Sequence, residues 1–268
     1  MSSNNNKLVL VTGGSRGIGY ATSRLLCARG YDVAINYHTD RESALQLLDC
    51  IQSQNTETSL KTADASVIQR GQAMIFQADV SKEDEVKALF QSIFEYFGRN
   101  PDGLVNNAGI VGERVPNNDI TLMKSEDLQR VFAVNTYGPF YCSREFVNCV
   151  SIQKEGGTGG VIVNVSSGAA YLGTTNLIYC MSKGALDSMM IGLSQSLPKL
   201  HGIRINSVVP GMTETDMSTA EQRDAKKHLV PMGRPGTPEE VAEGILFLLS
   251  DESRYCSGAK IRIAGGRP

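Results

Sequence analysis

Tryptophan is absent from this sequence, and aromatic residues make up only 6% of it. Histidine occurs three times, at His38, His201 and His228, too scattered for a His-x-x-x-His pair or a Cys/His cluster, so no metal site is expected. The six cysteines lack CxxC spacing. Residues 1–6 are polar, and the apolar run at 8–11 is far shorter than the core of a secretory leader, so free thiols in a reducing cytoplasm are expected. No stretch approaches the roughly 18 uncharged residues of a membrane span. Twenty-six basic residues against 28 acidic ones, a net charge of −2, create no field that would gather nucleic acid or an anionic membrane. Glycine, at 27, and proline, at 9, are too few for a collagenous or disordered chain. What remains is a chain of 268 residues, 41% hydrophobic, long enough to bury one large α/β core or two small ones.

Periodicity alternates between strand and helix from end to end. Residues 7–12 (KLVLVT) form a continuous apolar run of the kind buried on both faces of a parallel sheet. A helix is expected over 17–29, closed by Gly30, then a strand at 31–37 and a helix at 41–53. Strands follow at 72–77, 104–106, 160–165, 203–209 and 259–263. Helices are expected at 81–97, capped by Ser81 with Asp84 in the third position, at 125–150 with a bend at Pro139, at 179–200 and at 238–249. This order predicts a single doubly wound parallel sheet of about seven strands in one domain, with helices on both faces. Two segments break the rhythm: 55–71, read as a surface insertion, disordered or weakly helical, and 213–236, read as a lid over the substrate.

Between the first strand and first helix lies TGGSRGIG, residues 12–19. Glycines at 13, 17 and 19 permit a tight turn, close approach of a pyrophosphate and close helix–strand packing, with free N–H groups facing the anion. A P-loop is excluded because no Gly-Lys-Ser/Thr follows. A Gly-x-Ser-x-Gly elbow is also absent, which argues against a serine hydrolase.

Taken with Asn106-Asn-Ala-Gly109 and Tyr179-Cys-Met-Ser-Lys183, that turn resembles the short-chain dehydrogenase/reductase superfamily, over nearly the whole chain and in the family's order. NVSS, SKGALDSMMIGL, RINSVVPG and GAKIRIAGG carry a nearer likeness to 3-oxoacyl-carrier-protein reductases and glucose dehydrogenases. The resemblance implies a nicotinamide-dependent oxidoreductase acting on a carbonyl or secondary alcohol.

Tyr179 and Lys183 stand four residues apart, on one helix face, where an ammonium would lower the phenol's pKa from about 10 and make Tyr179 a general acid or base. Alone, such a pair is an ordinary solvated helix face. The strand ending at Ser166 and Ser167 adds hydroxyls at the sheet's carboxyl edge, where one could hydrogen-bond the substrate oxygen. Alignment with the family selects Ser167, with a residue missing from the 173–178 loop; counting back from Tyr179 selects Ser166. Asn135 matches the family's helix asparagine, which bends its helix and holds a water leading from the lysine to solvent. The resemblance thus implies a tetrad of Asn135, Ser167, Tyr179 and Lys183, with Lys183 also binding the nicotinamide ribose. Cys180, about 100° round the helix from Tyr179, is read as filling.

For the cofactor, the acidic position that selects NAD falls on Tyr37, while Arg16 in the glycine turn suits a 2′-phosphate, so NADP(H) is expected over NAD(H). The resemblance implies cofactor contacts from Gly13, Ser15, Arg16, Gly17, Ile18 and Gly19, from Asn36, Tyr37 and His38, and from the adenine pair Asp79 and Val80. It adds Asn107, Ala108 and Gly109 beside the adenosine ribose and Pro210, Gly211, Met212 and Thr213 beside the carboxamide. Segments 110–115, 168–178 and 213–234 should build the substrate pocket, with Tyr171, Leu172, Leu177 and Met217 as walls. Arg114 is a candidate anion contact, though no arginine cluster marks a phosphorylated substrate. The partner is a small carbonyl or alcohol, with no nucleic acid and no membrane. The helices at 125–150 and 179–200 resemble those that pair in a homotetramer or homodimer, with Cys142 and Cys149 packing there. A non-catalytic sensor of the same fold would lack the tyrosine or lysine; a longer sugar epimerase would need a separate substrate domain.

Overall fold

The computed structural model describes residues 6–61, 70–173 and 176–267. Seven strands, β1 (Leu8–Val11), β2 (Asp32–Tyr37), β3 (Ala73–Gln77), β4 (Gly103–Asn106), β5 (Gly160–Val165), β6 (Ile203–Pro210) and β7 (Lys260–Ile263), form one parallel sheet in the order β3-β2-β1-β4-β5-β6-β7. Every residue of β1, β2 and β4 is buried, as expected of strands covered on both faces.

Pleating sends alternate side chains to opposite layers. Leu8 and Leu10 face a core built from α3 (Glu83–Phe97), α5 (Gly138–Val150) and α7 (Leu177–Ser194), through Phe90, Phe146 and Met190. Val9 and Val11 face α1 (Gly17–Ala28), α2 (Arg41–Lys61) and α10 (Pro238–Leu249), through Leu26, Leu47 and Ile245. The chain winds outward from β1 to β3, then returns to place β4 on the other side of β1. The crevice between the carboxyl ends of β1 and β4 is therefore the switch point at which α/β sheets bind ligands.

Several expectations are corrected. The helix after β2 runs to Lys61, so the first part of the 55–71 insertion is helical; residues 62–69 lie outside the described part. Ser81 does not cap α3: its N–H and hydroxyl bond Asp79 Oδ1, and the extended Lys82 leads into the helix without a side-chain cap. The helix expected at 125–150 is α4 (Ser125–Phe132), a π-turn at Ala133–Tyr137, and α5. The irregularity precedes Pro139, which sits in α5's first turn, where its missing N–H costs least. Beyond α7 a separate short helix, α8 (Leu197–His201), opens with Pro198. Cys142 is buried in the core beneath α5 and Cys149 packs against that core, because their helix face turns toward the sheet rather than outward.

Between β5 and α7 lies one turn of helix, α6 (Ala169–Leu172). The 213–236 segment holds α9 (Ala220–Asp224), and its ends are clipped together by a bridge between Thr213 and Gly236. None of the six cysteines, all among the described residues, is in a disulfide. No helix among the described residues is long and apolar enough to cross a membrane, and none of their acidic, histidine or cysteine side chains group as metal ligands.

Candidate active site

A cavity of about 1000 Å3 opens at the switch point. At one end the glycine turn leaves β1. Gly13 adopts φ +57°, and a Cβ there would stand 2.9 Å from the Ala108 Cα. At Gly19 a Cβ would lie 2.2 Å from the Gly13 oxygen, so only glycine permits the turn to close against α1. Asn36 braces the turn from β2, its Oδ1 accepting from the Gly13 N–H at 3.2 Å. Asn107 braces it from β4, donating to the oxygens of Thr12 and Gly13 at 2.9 Å each.

Gly13, Ser15, Arg16, Gly17, Ile18, Asn36, Tyr37, His38, Asp79, Val80, Asn107, Ala108 and Gly109 all line this cavity, as do Pro210, Gly211, Met212 and Thr213. Gly19 does not; it packs behind the turn. The Arg16 Nε sits 3.7 Å from Asp40, whose carboxyl is held below the ordinary range by hydrogen bonds from Ser43. Asp79 is likewise held low: burial works against its charge, but the hydroxyl and N–H of Ser81 outweigh it.

At the other end, β5 delivers two serines with different fates. The Ser167 hydroxyl hydrogen-bonds the phenol of Tyr179 and lines the cavity. The Ser166 Oγ is buried and has no hydrogen-bond partner among the described residues. Asn176 begins α7, its Oδ1 accepting from the Tyr179 N–H at 3.0 Å while its Nδ2 donates to the Glu113 oxygen at 2.7 Å. Tyr179 and Lys183 follow on one face of that helix. Lys183, 3% exposed, donates from Nζ to the Val165 oxygen at 2.8 Å.

Asn135 lies at the centre of the π-turn, fully buried and behind the cavity wall. Its Oδ1 accepts from the Ile110 N–H at 2.9 Å, and its Nδ2 donates to the Ile110 oxygen at 2.8 Å and to Ser182 Oγ at 3.0 Å. A Cβ at Gly109 would stand 3.4 Å from both Asn135 Oδ1 and Lys183 Nζ, so the two polar groups converge on the same glycine.

The electrostatics reverse one expectation. Burial pushes the Tyr179 phenol above its ordinary value, opposed by the Ser167 hydrogen bond, and Lys183 does not pull it down. The lysine ammonium is turned to the Val165 oxygen and stands 5.9 Å from the Tyr179 ring centroid. Lys183 itself is pushed down to about 8 by burial, with the Asp187 carboxylate acting in the opposite sense.

Of the expected pocket walls, Leu172 and Met217 face the cavity, whereas Tyr171 and Leu177 do not. Tyr171 turns away because its hydroxyl donates to Asp187. Arg114 lines the cavity and reaches the 213–236 segment, donating to Gln222 at 3.2 Å. Sequence reasoning placed Asn176 and Lys226 only within the 168–178 and 213–234 pocket segments without singling them out, though a cap signal before α7 marks Asn176. It missed Asp40, Arg130 and Arg267 in the lining; nothing in their local sequence marks them.

A family profile described as enoyl-(acyl carrier protein) reductase matches residues 13–267. The chain belongs to the short-chain dehydrogenase/reductase family of oxidoreductases. It is similar to YgfF of Escherichia coli, described as an uncharacterized oxidoreductase, at 40% identity over 97% of this chain and 99% of that one. Carbonyl reductase family member 4 of Xenopus tropicalis is 36% identical over 97% of both chains. Among solved structures, the angucycline C-6 ketoreductase LanV with bound NADP superposes with a TM-score of 0.82 at 30% identity, covering 97% of this chain and 95% of that one.

Proposed function

We propose that this protein is an NADP(H)-dependent reductase of ketones or aldehydes, reversible toward the secondary alcohol. The observation that carries this reading is the meeting of the Ser167 hydroxyl, the Tyr179 phenol and the Lys183 side chain at one end of a cavity whose other end is the glycine turn.

The turn suits a dinucleotide: its glycines let the backbone close where a Cβ would clash with Ala108 or the Gly13 oxygen, and its N–H groups sit at the start of α1. Arg16 would hold a 2′-phosphate, and Tyr37 stands where a carboxylate would repel one. Asp79 and Val80 would flank the adenine and Asn107 to Gly109 the adjoining ribose. Residues 210–213 would meet the carboxamide. The bound cofactor supplies the hydride.

The chain's own residues manage the proton. Tyr179 is protonated in the free protein and so has a proton to give to a carbonyl oxygen as negative charge develops there, although burial makes it a weaker acid than a free phenol. Ser167 would donate a hydrogen bond to the same oxygen and orient it. Lys183 has three N–H bonds and directs one to Val165, leaving two for the hydroxyls of the nicotinamide ribose. Asn135 would support the lysine from behind Gly109. The lid at 213–236, joined across the mouth by Arg114 and Gln222, would close over the substrate.

The reading extends to a cytoplasmic homodimer or homotetramer, supported by apolar side chains exposed on and between α4 and α5: Leu128, Tyr137 and Phe140. The test is oxidation of NADPH and NADH, measured side by side, over a broad panel of carbonyl compounds. NADPH-dependent turnover with a clear preference over NADH is expected; an NADH preference, or no turnover on any carbonyl, would defeat the reading.

A further inference from the structure

Helix α7 carries a third polar residue on the face of its two reactive ones. Tyr179, Lys183 and Asp187 stand at intervals of four, one turn apart. Asp187 is 4% exposed and is not itself part of the cavity lining. Its Oδ2 accepts the hydroxyl of Tyr171 and lies 3.4 Å from Lys260 Nζ, while its Oδ1 is buried with no partner among the described residues. Lys260 also donates to the Tyr171 hydroxyl at 2.9 Å. The Tyr171 ring lies against two cations of β7, with Lys260 at 5.2 Å and Arg262 at 5.6 Å from its centroid. A carboxylate this deeply buried is costly unless paired, so the three side chains hold one another in place.

The cluster ties together two elements that must stay in register for Ser167 to meet Tyr179. Tyr171 belongs to α6, the single turn that begins two residues after Ser167, and the Ala169 N–H of that turn donates to Ser167 Oγ at 3.2 Å. Asp187 belongs to the helix that carries Tyr179. The hydrogen bond from Tyr171 to Asp187 therefore closes the corner between the serine's support and the tyrosine's helix.

We propose that Tyr171, Asp187 and Lys260 are positioning residues, a clamp that sets the hydrogen bond between Ser167 and Tyr179 from outside the cavity. This rests on the reading of Ser167 and Tyr179 as the reacting pair. Asp187 is the hinge of the clamp, Tyr171 its reach to the serine, and Lys260 its neutralising partner from β7.

Tyr171→Phe removes one hydroxyl and leaves the Asp187–Lys260 pair intact. On a carbonyl that the parent reduces, we expect kcat to fall about tenfold, in keeping with the sensitivity of such reactions to small displacements. NADPH affinity and the number of NADPH sites per chain, read by fluorescence titration, stay unchanged, and the isotope effect with 4-deuterated NADPH rises as the chemical step becomes limiting. Asp187→Asn keeps an acceptor for Tyr171 but removes a charge that supports the Lys183 ammonium, so the comparison is made at about pH 6.5, where the lysine stays protonated, and kcat there should hold within about threefold of the parent. A kcat unchanged in Tyr171→Phe overturns the clamp. So does a rate loss matched by an equal loss of NADPH sites with the isotope effect unmoved, the mark of a merely structural role. A tenfold loss in Asp187→Asn at that pH would overturn the hydrogen bond as its working part. Tyr179→Phe is measured alongside: if it retains turnover, the functional reading itself has failed and the clamp with it.

Discussion

The buried ammonium of Lys183 points one of its hydrogens at the main-chain oxygen of Val165, 2.8 Å away, and so fastens α7 to the last residue of β5. That bond fixes where the lysine can act. It faces the end of the strand that delivers Ser167, with Tyr179 one turn back on its own helix and Asn135 across Gly109.

Burial leaves Lys183 with a pKa of about 8 against the ordinary lysine value of 10.5, which makes stability depend on pH in a defined direction. Between those values the unfolded chain binds the proton more tightly than the folded one, so stability rises with pH across that window; below it, the cost of burying the charge is fully present. Urea unfolding should show the parent gaining up to about 2 kcal/mol between roughly pH 7.5 and pH 9.5 relative to Lys183→Met. A constant gap between the two proteins would show that the lysine keeps its ordinary proton affinity.

The two serines of β5's end are separated by one substitution each. Ser167→Ala removes a hydrogen bond to Tyr179 and should lower kcat by about 100- to 1000-fold, the scale of a lost oxyanion contact. Ser166→Ala removes a buried hydroxyl with no hydrogen-bond partner among the described residues, so activity should persist and stability should hold or rise by about 1 kcal/mol. Thermal melts and steady-state rates on the same preparations decide the assignment; the reverse pattern would make Ser166 the reacting residue.

Arg16 is exposed and bound only loosely to Asp40 at 3.7 Å, so a phosphate can draw it away at little cost. Arg16→Ala should weaken NADPH binding by about tenfold or more, the value of a charge-assisted hydrogen bond, while NADH binding barely changes. Titration of both cofactors against both proteins reads this directly. An equal loss for NADH would place Arg16 at the shared pyrophosphate instead.

Much of this molecule is legible in its sequence because burial imposes strong patterns. KLVLVT announces a strand covered on both sides, and the strands of the sheet differ from their expected limits by only a residue or so. Motifs joined to strand ends are equally readable, which is why the glycine turn, Asn107 and Tyr179 converge as the order of elements implies. What escapes is set by contacts between distant segments. Ser166 and Ser167 differ only in which side of a strand end they leave from, and the missing position in the 173–178 loop made counting ambiguous. Tyr171 looks like a pocket wall until Asp187 and Lys260, far along the chain, draw it outward. Cys142 and Cys149 share a helix face, but only the packed sheet shows that the face turns inward. The proton affinities of Tyr179 and Lys183 follow from depth and from the Val165 oxygen, neither of which residue spacing can express.

The central claim, that Tyr179 passes the proton in a nicotinamide-dependent carbonyl reduction, is tested most directly by Tyr179→Phe, assayed for turnover and for NADPH binding in the same preparation. Loss of the phenol's proton should lower kcat by about 100-fold or more, the usual contribution of a general acid, with NADPH affinity within about threefold of the parent. Turnover that survives the substitution would contradict the account.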